Sequence, residues 1–315
     1  MKKKIVVFGG GTGISVLLKG LKDTDVDLTS VICVSDDGRS TGKLRKEFNM
    51  PAIGDLRNVL VNLSNTDIRT KELLSYRFDT YSDLNGHPIG NLMMVGLYNI
   101  TGSLKESIEY LSNLLNIKSK VYPISEDNLT LVGETLNSEK IVGEDNITKA
   151  KTKYKKFYYL EEPHVLDEVK DAVLNADLVI FSMGSLITSI LPHLLCKELV
   201  STLKKSNAKI MYCCNAMTQP GETDNFSVSD HINLLNKYLG QRKIDVVLAS
   251  NTIIKKEILD KYLREEEKDL VQIDNENIEK INCELIEEDF LTIENNMIRH
   301  DSKKLSSVII NYIMR

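Results

Sequence analysis

The sequence predicts an α/β protein, with three αβα layers around a mostly parallel sheet and a small β-hairpin insertion. Strand and helix patterns alternate along most of the 315 residues, which is the order that successive βαβ units require. The strand candidates are short apolar runs, as expected where a parallel sheet is covered on both faces. They lie at residues 5–8, 28–34, 177–182, 208–215 and 244–250.

Helical periodicity accounts for most of the chain between these strands. Ser103-Leu-Lys-Glu106 has the capping-box pattern, which predicts that a helix begins there. The predicted helices are residues 14–22, 55–64, 69–77, 88–99, 103–116, 164–175, 186–204, 228–239, 253–265 and 302–313.

The pattern changes between residues 119 and 160. Residues 129–135 and 139–143 resemble a hairpin around Asn137-Ser138, followed by a lysine-rich stretch at 149–156. The sequence contains no internal repeat and no low-complexity linker. We therefore predict a single domain over residues 1–315, with a β-rich insertion at about 119–160.

Composition limits the class of protein. The 40 Lys and Arg residues against 45 Asp and Glu give a net charge of −5, which argues against a nucleic-acid partner. Five cysteines, an odd number with no C-x-x-C pair, predict reduced and mostly buried thiols in a cytoplasmic protein. No segment approaches the roughly 20 apolar residues of a membrane span, so none is expected.

The most informative segment joins the first strand to the first helix. A strand that ends in glycines just before a helix lets backbone N–H groups approach an anion, and the helix N-terminus adds its positive end. This Rossmann-like turn predicts a phosphate site, although Val16 replaces the third glycine of the dinucleotide motif and no Lys follows Gly13. A tight turn without a ligand is the alternative. The candidate ligand residues are Gly9, Gly10, Gly11, Thr12, Gly13 and Ser15.

Asp36 and Asp37 follow the second predicted strand. The carboxyl ends of parallel strands meet at one edge of a sheet, so these carboxylates should face the glycine turn. They could bind ribose hydroxyls, or Mg²⁺ shared with phosphates. An Asp-Asp-Gly turn that only ends the strand is the alternative.

Two further polar segments open predicted helices. Arg57 and Asn58 lie in the first turn of one helix, where they could meet a phosphate or a sugar, and Asp55 is a candidate N-cap, ligand or both. His87 and Asn91 lie four residues apart near the start of another. Because the sequence fixes no acid or nucleophile beside His87, a structural role is favoured over catalysis.

The C-terminal half contains two comparable loops, each following a predicted strand. The first is a small-residue turn that opens a helix, and the second is rich in amides, hydroxyls and acids that could bind a base or a sugar. A polar surface loop is the alternative for the second. Their candidate ligand residues are Gly184, Ser185, Thr188, Ser189, Asn215, Thr218, Gln219, Glu222 and Thr223.

These motifs resemble, in the same order, those of the YvcK-type gluconeogenesis factor family. They are Gly-Gly-Gly-Thr-Gly at 9–13, Asp-Asp-Gly-x-Ser-x-Gly-x-Leu-Arg at 36–45, Gly-Asp-x-Arg-Asn at 54–58, Gly-His-x-x-Gly-Asn at 86–91, Gly-Ser-Leu-x-Thr-Ser at 184–189 and Asn-x-Met-Thr-Gln-Pro-Gly-Glu-Thr-Asp at 215–224. That family is related to CofD, the 2-phospho-L-lactate transferase. The last motif is the most specific and favours the YvcK-type branch.

The resemblance implies a Rossmann-like protein that binds a nucleotide-sugar, with UDP-N-acetylglucosamine the favoured ligand. It also implies a role in cell shape and peptidoglycan synthesis during gluconeogenic growth, cell-wall synthesis proteins as partners and no established reaction. By position, Tyr262 and Arg299 match a tyrosine and an arginine linked to UDP-sugar binding, and Ser302 lies at or near a regulatory phosphothreonine. Homo-oligomer formation stays open.

Two other functions remain open at the level of sequence. One is a CofD-like transferase of a nucleotide-activated phospho-group, with Mg²⁺ on Asp36 or Asp37. The other is an NAD(P)-binding protein, with Asp36 on the ribose about two dozen residues after the glycines. No cofactor is certain.

Overall fold

The computed structural model describes residues 2–294 and 297–315. Seven parallel strands form a central sheet in the order β10-β9-β8-β7-β1-β2-β3, which confirms the predicted α/β class. All five strand candidates form strands. The strands are, in chain order, β1 (Lys3–Gly9), β2 (Val26–Ile32), β3 (Lys120–Pro123), β4 (Leu131–Thr135), β5 (Lys140–Val142), β6 (Tyr154–Tyr159), β7 (Leu178–Phe181), β8 (Lys209–Cys213), β9 (Val246–Ser250), β10 (Glu284–Glu288), β11 (Leu291–Glu294) and β12 (Met297–His300).

Helices connect these strands, and α2, α7 and α13 are additions to the predicted set. The helices are α1 (Gly11–Leu21), α2 (Arg39–Phe48), α3 (Gly54–Leu63), α4 (Ile68–Ser75), α5 (Ile89–Thr101), α6 (Leu104–Leu114), α7 (Glu144–Ala150), α8 (Asp167–Leu174), α9 (Leu191–Leu194), α10 (Lys197–Lys205), α11 (Val228–Tyr238), α12 (Lys256–Glu266), α13 (Asn275–Ile281) and α14 (Ser302–Ile313).

The order of the strands reverses at β1. The chain leaves β1 through α1 to pair with β2 on one side, and β7 later pairs with β1 on the other. Right-handed crossovers that run in opposite directions place their helices on opposite faces of a sheet. Accordingly, α1 packs against α3 and α14, and α8 packs against α10. Ligands of such sheets bind in the crevice outside the carboxyl ends of the strands at this switch point.

The insertion is a three-stranded antiparallel sheet in the order β5-β4-β6. The hairpin of β4 and β5 confirms the predicted turn, and Ser138 adopts a left-handed φ of 64° there. Residues 120–123 pair with β2 in the central sheet. The lysine-rich stretch supplies the end of α7 and the start of β6.

Residues 186–204, predicted as one helix, form three pieces. A π-helical turn at Leu186–Ile190 leads into α9, and α10 follows after a break at a bend of 66°. Pro192 lies in the first turn of α9, where its missing N–H removes one bond of a continuous helix. The single-helix prediction is therefore wrong at this point.

The predicted cap at Ser103 is present, but only in part. Its hydroxyl accepts the Glu106 N–H at 3.2 Å, whereas its own N–H donates to Thr101 Oγ1 rather than to the Glu106 side chain. The reciprocal capping box forms instead at Ser227 and Asp230, at the start of α11.

The prediction of buried thiols is confirmed, because the five cysteines are free and buried. No single helix in the described part of the chain is long and apolar enough to cross a bilayer, and one bent pair, Leu186–Leu194 with Lys197–Lys205, reaches that length and apolarity together.

Gly13 tests the close packing at the switch point. A Cβ atom there would lie 2.0 Å from the Met183 carbonyl oxygen, so Gly13→Ala should lower the free energy of unfolding by roughly 1–3 kcal/mol in urea titrations. Gly96→Ala is the matched control, because Gly96 lies within α5 with no heavy atom within 4 Å of a Cβ. It should be neutral or stabilising by up to about 1 kcal/mol. Equal effects at both sites would contradict this account.

Candidate functional site

Two backbone turns meet at the carboxyl ends of β1 and β7. Gly11, the first residue of α1, has a φ of +60°, and Gly184 has a φ of +152°. Asn215 fixes the second turn, because its Oδ1 accepts the Gly184 N–H at 2.9 Å and its Nδ2 donates to the Gly184 carbonyl at 2.7 Å. Asn215 therefore shapes the crevice through the backbone.

The same packing sets the positions of the other candidate residues in and beside the glycine turn. Ser189 lies beside Gly10, at 3.2 Å from the position of a Cβ there. Ser15 is buried, and its hydroxyl donates to the Gly11 carbonyl at 3.4 Å. Thr12 is exposed in the first turn of α1.

Asp55 lies against the glycine turn, with its carboxylate beside the Gly10 and Gly11 backbone. Burial raises the pKa of Asp55 to about 6, with Asp36 adding to the shift and the nearby Gly11 backbone opposing it. The N-cap interpretation of Asp55 is wrong, since α3 begins at Gly54 after Ile53. Its carboxylate instead lies beside the backbone that an anion at this helix start would use.

A cavity of about 260 Å³ opens beside this turn. Three arginines line it together with four acids, so it presents both charges to a ligand. Burial lowers the pKa of Arg57, and the nearby Arg77 cation lowers it further. The lining residues are Asp36, Gly38, Arg39, Ser40, Thr41, Gly54, Asp55, Arg57, Asn58, Arg77, Asn91, Glu144 and Asp145.

The two adjacent aspartates after β2 have different roles. Asp36 accepts the Gly38 N–H at 3.0 Å and lines the cavity, and burial raises its pKa against that hydrogen bond. Asp37 Oδ1 accepts the Asp145 N–H at 2.8 Å in the first turn of α7. Asp37 therefore holds the insertion against the central sheet.

Arg45, which sequence reasoning did not single out, strengthens that junction. Its Nη1 donates to the carbonyls of Ser35 and Asp36 at 3.1 and 3.0 Å, and its Nη2 donates to the Leu129 carbonyl at 2.6 Å. The only earlier indication was its place at the end of the motif at 36–45.

Helix α7 closes one side of the crevice. Glu144, in its first turn, lies close to the Thr188 side chain, and Thr148 lies close to Glu222. Ser185 caps the π-helical turn by accepting the Thr188 N–H at 3.0 Å, and its hydroxyl donates to Glu222. These contacts bring the acids of two distant loops to the cavity region.

Burial raises the pKa of two of these acids. Burial and the neighbouring carboxylates raise the pKa of Glu144 to about 7, and the nearby Thr188 side chain opposes this only in part. Burial also raises the pKa of Glu222, opposed by Ser185.

His87 and Asn91 form a buried network. His87 Nδ1 lies 2.8 Å from Ser40 Oγ, and Asn91 contacts both Ser40 and Arg57. The fold thus places a serine hydroxyl beside His87 that is 47 positions away along the sequence, and the preference for a structural role of His87 stays a prediction. Burial lowers the pKa of His87, and Lys43 adds to this effect.

The loop at 215–224 is held by hydrogen bonds within the loop and to the backbone of a neighbouring segment. Thr218 exchanges two hydrogen bonds with the backbone of Asp269, at 2.7 and 2.9 Å, and Thr223 Oγ1 accepts the Gln219 N–H at 2.8 Å. Both threonines are buried. Gln219 Oε1 is buried with no hydrogen-bond partner among the described residues.

Tyr262 and Arg299 lie in a separate part of the C-terminal region. Tyr262 is buried in a small cluster with Ile254, Leu291 and Ile298, and its hydroxyl accepts the Ile298 N–H at 2.9 Å. Arg299 follows on β12 and is exposed. Tyr262 therefore supports the strand that carries Arg299.

Oxygen donors near Asp36 and Asp37 suit Mg²⁺ by chemistry. Within residues 2–294 and 297–315, no group of three or more His, Cys, Asp or Glu is arranged to hold a metal ion. Phosphate oxygens and water would therefore complete any Mg²⁺ site there.

A parallel sheet with a glycine turn and a polar cavity at its switch point defines the Rossmann-like class of ligand-binding proteins. Comparison with known proteins narrows this class. The model of the family described as 2-phospho-L-lactate transferase CofD matches residues 5–291. The chain is 39% identical to the gluconeogenesis factor of Bacillus subtilis over 313 residues, covering 99% of this chain and 98% of that protein.

A second relative and two crystal structures support the same family assignment. The gluconeogenesis factor of Listeria innocua is 38% identical, with 98% of this chain and 95% of that protein covered. Two crystal structures of a UPF0052-family protein from Bacillus halodurans have a TM-score of 0.95 and 37% identity, covering 98% of this chain and 100% of theirs. The chain belongs to the CofD family and, within it, to the group of gluconeogenesis factors.

Glu144 predicts a pH dependence of stability. Its folded pKa of about 7 exceeds the ordinary 4.5, so the folded state keeps a proton that the unfolded state releases, and stability falls as pH rises through this window. Glu144→Gln removes this loss. Relative to the unchanged protein, the variant should gain roughly 1–2 kcal/mol in urea unfolding between about pH 5.5 and pH 8.

The control is Glu279→Gln, at an exposed site on α13. It should shift stability equally at both pH values. A gain for Glu144→Gln that does not change with pH would contradict the assignment.

Proposed function

We propose that the protein binds a nucleotide-sugar of the UDP-N-acetylglucosamine type in the cavity beside the glycine turn. The observation that carries this proposal is the cavity in which Arg39, Arg57 and Arg77 face a set of half-buried carboxylates. Guanidinium groups suit the oxygens of a diphosphate, and carboxylates accept hydrogen bonds from ribose and sugar hydroxyls.

The raised pKa values favour the same ligand. Asp55 has a pKa of about 6 and Glu144 of about 7, so near neutral pH the crevice carries less negative charge than its carboxylates suggest. An anionic diphosphate is repelled less by such a site than by fully ionised acids. Because the Asp55 carboxylate lies beside the glycine turn, the arginine side of the cavity is the better place for the phosphates.

We propose further that the ligand serves regulation and that the protein does not turn it over repeatedly. The relatives named gluconeogenesis factor support a role during growth on gluconeogenic carbon sources. On this view, the protein acts in the cytoplasm on cell shape and peptidoglycan synthesis, through cell-wall synthesis proteins.

A transferase is the second candidate, and the match to the CofD family favours it. In that case Asp36 and Asp37 would hold Mg²⁺ shared with the phosphates of a nucleotide-activated group. The residues of this chain would bind and orient the donor through Arg57, Asn58 and Arg77.

Isothermal titration with UDP-N-acetylglucosamine separates these functions. NAD and GTP are titrated alongside, each with and without Mg²⁺, and every solution is then checked for product. Saturable, selective binding with at most one equivalent of ligand consumed per protein molecule supports regulation. Consumption of many equivalents identifies the transferase, and preference for NAD overturns the nucleotide-sugar assignment.

Arg77 tests the anion side of the cavity. It is exposed, lines the cavity and is held by a 2.8 Å hydrogen bond to the Gly86 carbonyl. Arg77→Ala should weaken UDP-sugar binding by about 1–3 kcal/mol in the same titration, because a charged hydrogen bond to phosphate is lost. Arg69→Ala, on exposed α4 outside the lining, should bind as tightly as the unchanged protein.

Arg299 tests the ligand residues implied by family position. Arg299 does not line the cavity, and only the family resemblance links its position to the UDP-sugar. On that basis, Arg299→Ala should weaken UDP-sugar binding by roughly 1–3 kcal/mol, the scale of one lost charged hydrogen bond. Circular dichroism confirms that the variant is folded. An affinity equal to that of the unchanged protein removes Arg299 from the site.

A further inference from the structure

A chain of four buried side chains leads from Arg57 to His87. Arg57 Nε donates to Asn91 Oδ1 at 3.3 Å, Asn91 Nδ2 lies 3.2 Å from Ser40 Oγ, and Ser40 Oγ lies 2.8 Å from His87 Nδ1. All four residues are less than a tenth exposed. They come from α2, α3 and the start of α5, so only the folded chain assembles them.

The direction of these hydrogen bonds follows from chemistry. Arginine has only donors, so the atom of Asn91 that faces Arg57 must be the carbonyl oxygen. The Asn91 amide nitrogen then donates to Ser40 Oγ, which keeps its own proton and a second lone pair for His87 Nδ1. In the neutral tautomer with its proton on Nε2, His87 Nδ1 accepts the Ser40 hydroxyl proton, and this is the tautomer that a general base requires.

The position of each group relative to the cavity matters as much. Ser40 and Asn91 line the cavity, whereas His87 stands behind Ser40 and is not among the lining residues. Ser40 also lies in the first turn of the ten-residue helix α2, directly after Arg39, which holds a left-handed φ of 44°. A serine between a ligand cavity and a neutral imidazole has the arrangement of a nucleophile and its base.

We propose that Ser40 is a nucleophile, with His87 as its general base, toward a phosphoanhydride bound in the cavity. The inference rests on the proposed function for the identity of that ligand. Ser40 Oγ forms a bond to one phosphorus of the diphosphate, and the bridging P–O bond breaks with its electron pair going to the departing phosphate monoester. The Ser40 proton passes to His87 Nδ1. The product is a phosphodiester on Ser40, and no other reactant is required.

Neighbouring groups suit this step. Arg57 and Arg77 line the same cavity and can stabilise charge on the phosphoryl oxygens. Asn91 donates to Ser40 Oγ and so orients its remaining lone pairs. Asn91 is therefore a positioning residue, while Ser40 and His87 would be the catalytic residues.

A fluorophosphonate probe tests the nucleophile without relying on the natural ligand. We expect the probe to label Ser40 in the full-length protein, as located by peptide mass spectrometry. Ser40→Ala should abolish labelling at this position. His87→Gln, whose amide can still accept the Ser40 hydrogen bond but cannot take its proton, should slow labelling about 100-fold or more.

Ser107→Ala is the control. Ser107 is a fully buried serine whose hydroxyl donates to the Ser103 carbonyl at 2.7 Å, with no imidazole beside it. Labelling at Ser40 should be unchanged in this variant. An unlabelled Ser40 in the unchanged protein, or equal labelling in His87→Gln, overturns the proposal.

Incubation with UDP-N-acetylglucosamine then tests the phosphoanhydride. The intact mass should increase by one phosphodiester group in the unchanged protein and not in Ser40→Ala. Probe labelling of Ser40 without this adduct overturns the phosphoanhydride step. Failure of the proposed function is distinguishable, because it appears in titration as absence of UDP-sugar binding while His87-dependent probe labelling persists.

Discussion

The backbones of two turns pack together at the carboxyl ends of β1 and β7, with no room for a side chain between them. A Cβ at Gly13 would overlap the Met183 carbonyl, and Asn215 holds the same turn through Gly184. This contact therefore fixes the positions of the start of α1, the π-helical turn and the loop at 215–224 relative to one another. Every side chain proposed to meet a ligand depends on this contact, because it sets where the carboxyl edge of the sheet opens.

Charge at this edge is concentrated and incompletely neutralised. Asp55 lies beside the glycine turn, whereas Glu144 approaches from the insertion, and burial raises the pKa of both. Burying such acids lowers the stability of the folded protein. This loss of stability is typical of sites where a bound ligand supplies hydrogen-bond donors. The arginines across the cavity supply the complementary charge, so the site has two chemically distinct sides.

The fold class and the glycine turn were predictable because they depend on local patterns. Apolar runs and glycine turns, such as the turn at Gly11, can be recognised from a few neighbouring residues of the sequence. The function of Asp37 was not predictable, because its partner at Asp145 lies 108 positions away. The pairing of Ser40 with His87 was missed for the same reason, with a separation of 47. Edge strands such as β12 are short and have a weak alternation of apolar and polar residues. Their sequences therefore cannot be told apart from those of loops.

Helix α7 is fastened to segments that are far apart along the chain. Asp37 binds its first turn, Thr188 meets Glu144, and Glu222 meets Thr148. During synthesis from the N-terminus, the central strands β1 and β2 emerge long before the last of these partners. The cavity wall is therefore completed only after about two thirds of the polypeptide has left the ribosome, and a nascent chain that stops earlier has the glycine turn without an enclosed site.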